Sequence, residues 1–153
     1  MNGFTYDSNV KRFKNLAKQY YKMQNEIQNL KERIQNIDDM LLNYHSPTWD
    51  KIGSTPSRHE LDTVGLIADK QEIEGQIKKL EGQCAWIRKC IDKIQDPYSR
   101  AIANLMYLGG YSINDISQEY SITPRHVFET TKDSLEQSLT EDLMLELMML
   151  EDD

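Results

Sequence analysis

FKNLAKQYYKMQNEIQNLKERIQNIDDMLLNY, residues 13–44, is the stretch that decides the fold. Phe13, Leu16, Tyr20, Met23, Ile27, Leu30, Ile34, Ile37, Leu41 and Tyr44 are separated alternately by three and four residues. That is an unbroken heptad stripe, the signature of a helix that lays one narrow apolar seam against a partner. The other positions are mostly Gln, Asn, Lys and Glu. Neither Pro nor Gly interrupts the run from Phe4 to Ser46; Ser8 reads as its cap and Ser46-Pro47 as its stop. The pattern predicts one continuous helix about 55 Å long. A seam this narrow cannot hold a helix in isolation, so a second helix is required.

Residues 45–60, HSPTWDKIGSTPSRHE, read as a long loop, with Trp49 and Ile52 either folding back on its tip or marking a contact surface. Helical spacing resumes near Leu61. Leu66, Ile73, Ile77, Leu80, Cys84, Ile87, Ile91 and Ile94 form a matching stripe, with Lys70 in the skipped position. Gly75 and Gly82 are seven apart and share a face where another helix can come close. Two matched stripes joined by one loop predict an antiparallel coiled-coil hairpin across residues 1–95.

Composition agrees with an all-α chain. Of 153 residues only 7 are Gly and 4 Pro, too few turn formers for a β-sandwich. No apolar run approaches the roughly 18 residues of a membrane span, and the N-terminus lacks a secretory pattern. Cys84 and Cys90 sit about 9 Å apart along one helix and point in different directions, so they cannot bridge each other. Two unpaired thiols fit a reducing cytosol. The net charge is -7, but it is unevenly spread. Residues 140–153 carry six acids and no base, whereas Lys11, Arg12, Lys14, Lys18 and Lys22 run without an acid. That basic run reads as a solvated helix face, with phosphate contact as its functional alternative.

After Asp96 the pattern changes. Pro97 opens a helix to about Leu108, ended by Gly109-Gly110. Ser112 caps a short helix with Asp115 as an imperfect capping box. A tight turn follows, and Thr123 caps a third helix with Pro124 in its first turn. Ile113, Ile116, Ile122 and Val127 fall where a helix-turn-helix buries apolar residues; Phe128, Thr131 and Leu135 read as inward too.

The segment DPYSRAIANLMYLGGYSINDISQEYSITPRHVFETTKDSLEQSL resembles the C-terminal domain of small phage transcription regulators of the ArpU and RinA type. That domain is in turn similar to the fourth region of sigma factors. Asp96, Pro97, Arg100, Leu105, Tyr107, Gly110, Ser112, Ile116, Thr123, Arg125, Val127 and Phe128 match its pattern. Ser46-Pro47 and Asp69-Lys70 in the hairpin also resemble that group. The chain departs from it at Glu129, where Arg or Lys is usual, at Ser117, and at Ser121 in place of the turn Gly.

The expected architecture is therefore all-α: a hairpin over 1–95, a helix-turn-helix domain over 96–139 and an amphipathic tail over 140–153. The resemblance implies a sequence-specific regulator of transcription that binds double-stranded DNA as a homodimer in the cytoplasm of a host cell. Arg125, His126, Glu129 and Lys132 fall on the outward side of the third helix, with Arg125 placed for a guanine; Ser112 and Thr123 complete the candidate DNA-binding set. The competing expectation is a protein-binding module that keeps the fold but engages RNA polymerase or inhibits a host protein. Glu129 and the charge of -7 favour that alternative. In the tail, Leu143, Leu147 and Leu150 with Met144 and Met148 form an apolar stripe that must pack on its own chain, a second protomer or another protein. His45, His59 and His126 show no ligand spacing, and no phosphate loop or nucleophile elbow occurs. No metal, cofactor, membrane contact or enzymatic activity is expected.

Overall fold

The computed structural model describes residues 2–45 and 62–151. The expected loop over 45–60, with Trp49, Ile52 and Ser46-Pro47, therefore lies almost wholly outside the described residues. Among those described, every element is helical: α1 (Asn2–Ala17), α2 (Tyr20–His45), α3 (Thr63–Asp92), α4 (Pro97–Ala103) with a π-helical turn (Asn104–Leu108), α5 (Ile113–Tyr120), α6 (Pro124–Ser138) and α7 (Glu141–Glu151). No helix among them is long and apolar enough to cross a membrane.

The first stripe forms two helices, not one. The helix begins before Ser8, at Asn2, and breaks at Lys18–Gln19, where Gln19 N–H donates to the Leu16 carbonyl at 3.0 Å in a tightened last turn. The 3-4 spacing runs straight through the break, so the cause is tertiary. Val10, Phe13 and Ala17 of α1 are buried, and α1 packs against α6, a helix the stripe knows nothing of.

The chain divides into two compact units, Met1–Asn25 with Lys79–Asp153, and Glu26–Lys78. This division falls inside α2 and α3, away from residue 95. In unit Glu26–Lys78, Ile27, Leu30 and Ile37 of α2 and Ile73 and Ile77 of α3 are buried, while Ile34, Leu41 and Leu66 are half-buried. Lys70, in the skipped stripe position, reaches Asp38 at 2.7 Å.

The other unit is wider. Phe13 is fully buried, 5.9 Å from the Trp86 ring and edge-on to Tyr107 at 5.1 Å. From Cys84 onward α3 buries Trp86, Ile87, Cys90 and Ile91, a wider face than the stripe alone, and Ile94 just after the helix is buried too. One side meets the α1–α2 limb, through Arg88 to the Tyr20 hydroxyl at 3.0 Å and Gln24 to the Cys84 thiol. The other side meets α7. Trp86 Nε1 donates to the Leu143 carbonyl at 2.7 Å, Lys89 pairs with Glu146 at 2.7 Å, and Gly82 faces the end of the Leu150 side chain. Gly75, its expected companion, faces open space.

α4 is set by its caps. The Asp96 carboxylate accepts from the Ser99 amide at 3.0 Å and the Ser99 hydroxyl at 2.7 Å, which holds it below the ordinary carboxylate range. Arg100 Nη1 closes the end of α3 by donating to the Ile94 carbonyl at 2.9 Å. The π turn ends when Gly109 N–H bonds the Asn104 carbonyl at 2.8 Å. Gly110 then adopts a left-handed φ of 74°, and a Cβ there would meet the Tyr21 ring at 2.6 Å, so both backbone and space demand glycine.

Two buried groups give measurable consequences. The Tyr107 hydroxyl makes no hydrogen bond of good geometry: Thr131 Oγ1 beside it gives its own proton to the Val127 and Phe128 carbonyls, each at 3.0 Å, and offers Tyr107 only a lone pair. Burial pushes its pKa up. An unsatisfied buried hydroxyl costs about 1–3 kcal/mol, so Tyr107→Phe should raise stability by about 1 kcal/mol in a urea titration. A loss instead would mean that the hydroxyl has a partner. Cys90, buried and near Glu146, has its thiol pushed up to about 12 from an ordinary 9.0. The native state alone then keeps this proton, so the contribution is complete below pH 9 and declines as pH rises towards about 12. The fall in urea midpoint between pH 8 and pH 10.5 should be smaller in Cys90→Ala than in the parent chain.

Candidate functional site

α5 and α6 carry most of the residues singled out for binding. α5 begins with a complete capping box: Asp115 N–H donates to Ser112 Oγ at 3.0 Å, and Ser112 N–H donates to the Asp115 carboxylate at 3.1 Å. It ends at Ser121, a non-glycine residue in the left-handed region at φ 55°, ψ 42°. Ser117 spans the turn, its hydroxyl donating to the Ile122 carbonyl while its own carbonyl accepts from Ile122 N–H at 3.2 Å. Thr123 Oγ1 then accepts from His126 N–H at 3.1 Å and starts α6, with Pro124 in the first turn where no N–H is missed. Ile102, Ile116 and Val127 form the buried centre of α4, α5 and α6, with Leu105, Met106, Ile113 and Ile122 packed around it.

This core turns one stripe of α6 outward. Arg125, Phe128, Glu129 and Lys132 are spaced as i, i+3, i+4 and i+7 and share a face. Arg125 is 86% exposed, yet its Nε donates to Glu129 Oε1 at 2.9 Å, so its charge is half-spent on its own helix. His126 lies on the flank, 6.1 Å from the Tyr98 ring and with Nε2 3.4 Å from the Thr130 hydroxyl. Ser112 and Thr123 use their oxygens as caps, which makes them structural first; each hydroxyl proton remains free to donate outward. Phe128 corrects the expectation of an inward ring: it is 43% exposed, because Val127 and Thr131 already fill the inward positions.

The basic run of α1 was not expected to lie here. Docking of α1 on α6 brings Lys14 Nζ to 4.6 Å above the Phe128 ring. Lys11, Lys14 and Lys18 then line one groove with Phe128 and Lys132. A neighbouring groove of about 570 Å³ places Ser112 and Tyr111 beside the same Lys14, Lys18 and Phe128. Its signal in the sequence was the acid-free spacing of 11, 14 and 18 on one helical face; only the partner helix was unreadable.

The tail stripe is divided. Leu143, Met144 and Leu147 are buried in the chain's own core and Leu150 is half-buried against Gly82, so these four are removed from the expected partner or oligomer interface. The cause is the carbonyl demand of the buried Trp86 indole together with the apolar wall of α3. Met148 remains outward, with Leu145 and Met149 beside it. Among the described residues no group of three or more His, Cys, Asp or Glu is placed to hold a metal ion.

No family model, no curated protein and no solved structure matches this chain.

The Ser121 conformation carries its own test. A left-handed L-residue costs roughly 1–2 kcal/mol, part of which glycine recovers against its greater freedom when unfolded. Ser121→Gly should therefore stabilise the chain by up to about 1 kcal/mol, read as a raised melting temperature. A lowered one would show that the serine hydroxyl, and not the turn geometry, holds the junction.

Proposed function

We propose that this chain is a DNA-binding transcription regulator, with α5, the Ser121 turn and α6 acting as a helix-turn-helix and α6 as the helix that enters the major groove. The observation that carries the reading is the construction of that unit. Two capped helices joined by a left-handed residue share a core on Ile116 and Val127, and the Arg125–Lys132 face is left open. The resemblance to ArpU- and RinA-type phage regulators points the same way.

The finer architecture belongs to this proposal. α2 and α3 are read as an antiparallel coiled-coil hairpin. In support, the contacting pairs Tyr20–Arg88 and Gln24–Cys84, both within the larger unit, advance in opposite directions along the two helices, as an antiparallel register demands. In a homodimer two copies of α6 would address two half-sites about one helical turn apart.

A second reading is favoured by the Arg125–Glu129 pair, which satisfies the best base-reading side chain internally, and by the outward Leu145, Met148 and Met149. It is a non-enzymatic module that binds RNA polymerase or a host protein.

Binding to duplex DNA separates the two. After selection of a site from a random duplex pool, Arg125→Ala should weaken that site by about 1–3 kcal/mol. Glu129→Arg removes a carboxylate that both repels phosphate and holds Arg125. It should tighten binding to any duplex and steepen the salt dependence by about one phosphate contact. If neither the parent chain nor Glu129→Arg binds duplex at low salt, the regulator reading gives way to the protein-binding one.

A further inference from the structure

The groove between α1 and α6 holds about 270 Å³ and is lined by Lys11, Lys14, Lys18 and Lys132 around Phe128 and Asn15. Lys11 and Lys14 of α1, Lys18 just after it and Lys132 of α6 thus line one small concavity. Among the described residues none of the four pairs with a carboxylate. The contrast with the next position is direct. Arg12, about 100° around α1 from Lys11, reaches Glu151 at 3.2 Å. Lys70 and Lys89 also have acidic partners at 2.7 Å. In a chain with 25 acids and 18 bases, these four cations stand together with no ion pair among the described residues.

Such an arrangement is self-repelling. The Lys14 ammonium is drawn below its ordinary value, first by burial and then by Lys18 and Lys132. Its stem packs beside Phe128 and its charge sits over that ring, so it cannot swing away without losing the contact. An anion seated among the four relieves the repulsion. Lys11 and Lys14 on α1 and Lys18 just past its end, at i, i+3 and i+7, spread along about 10 Å, longer than one phosphate and comparable with two successive phosphates of a strand. The neighbouring Ser112, at the start of α5, extends the same surface with a hydroxyl.

We propose that the lysine groove between α1 and α6 is a phosphate-binding site that takes the sugar-phosphate backbone of duplex DNA. The inference rests on the reading of α6 as the groove-entering helix, because Lys132 and Phe128 belong to the same stripe as Arg125. α1 is then the clamp that fixes how α6 lies on the duplex, without reading sequence. The chemistry shared with the alternative source, free phosphate, is an oxyanion held by ammonium groups.

The test compares the full chain with the triple variant Lys11→Gln/Lys18→Gln/Lys132→Gln, leaving Lys14 in its packed position, and with Arg125→Ala. Anisotropy of a labelled 20-base-pair duplex is followed over a range of KCl, and inorganic phosphate is titrated against the lysine ammonium NMR signals. Thermal melting without ligand should be unchanged or raised in the triple variant, since only repulsion is removed. The expected result is a log-affinity against log-salt slope that is flatter by about two to three in the triple variant. Arg125→Ala should keep the parent slope while losing sequence preference. If inorganic phosphate shifts the parent signals and not those of the triple variant, while duplex fails to bind, the phosphate site stands with free phosphate as its source and the α6 reading falls. If parent and triple variant show the same slope and neither responds to phosphate, the proposal is overturned. That holds even where Arg125→Ala abolishes duplex binding and the α6 reading survives alone.

Discussion

The enclosure of Phe13 by Trp86 and Tyr107 is the contact from which the rest of the larger unit follows. A fully buried Phe contributes about 1.5–3 kcal/mol by transfer, and each well-oriented aromatic pair about 0.5–1.5 kcal/mol more. The three rings come from α1, α3 and the π turn after α4, so one cluster fastens three segments far apart in sequence. It also fixes the orientation of α1. With Phe13 and Val10 turned inward, Lys11, Lys14 and Lys18 are carried to the α6 side and Arg12 to the α7 side. The basic run is thereby split into a paired flank and an unpaired one.

Trp86 passes the same constraint to the C-terminus. Its indole N–H is buried and needs an acceptor, and the acceptor is a backbone carbonyl of α7. Leu139, Leu143, Met144 and Leu147 bury on that scaffold, while Lys89 and Arg12 meet Glu146 and Glu151 at its rim. These exposed pairs contribute little each; they set register while burial supplies the stability. Part of the tail's acid excess thus serves as counter-charge to the flanks of α1 and α3. Electrostatic arguments from the net charge alone miss this, because the groove beside α6 lies apart from those pairs and keeps its positive character.

Much of this was legible in the sequence, and particular residues say why. Met23, Ile27, Leu30, Ile37, Ile73, Ile77, Cys84, Ile87, Ile91 and Ile94 follow the heptad spacing and are buried, because a helix turns about 100° per residue whatever it packs against. The caps at Ser112 and Thr123 were equally legible, since a side-chain oxygen three residues before an orphan amide is a local relation. Trp86 was not: it lies off the stripe, and its burial depends on a helix more than fifty residues away. Phe128 was placed inward because its spacing fits the inner face, which Val127 and Thr131 already fill.

By itself, then, the sequence determined that the chain is helical, where α5 and α6 are capped, and which residues of the long stripes must be apolar. These follow from spacing and capping chemistry within a few residues. The tertiary structure decided the break at Lys18–Gln19, the docking of α7 on α3, the internal use of Arg125 by Glu129, and the meeting of the α1 lysines with Lys132. Each is a choice among partners of similar chemistry, and such choices are settled by shape and by which buried groups still need a partner once the first contacts have formed.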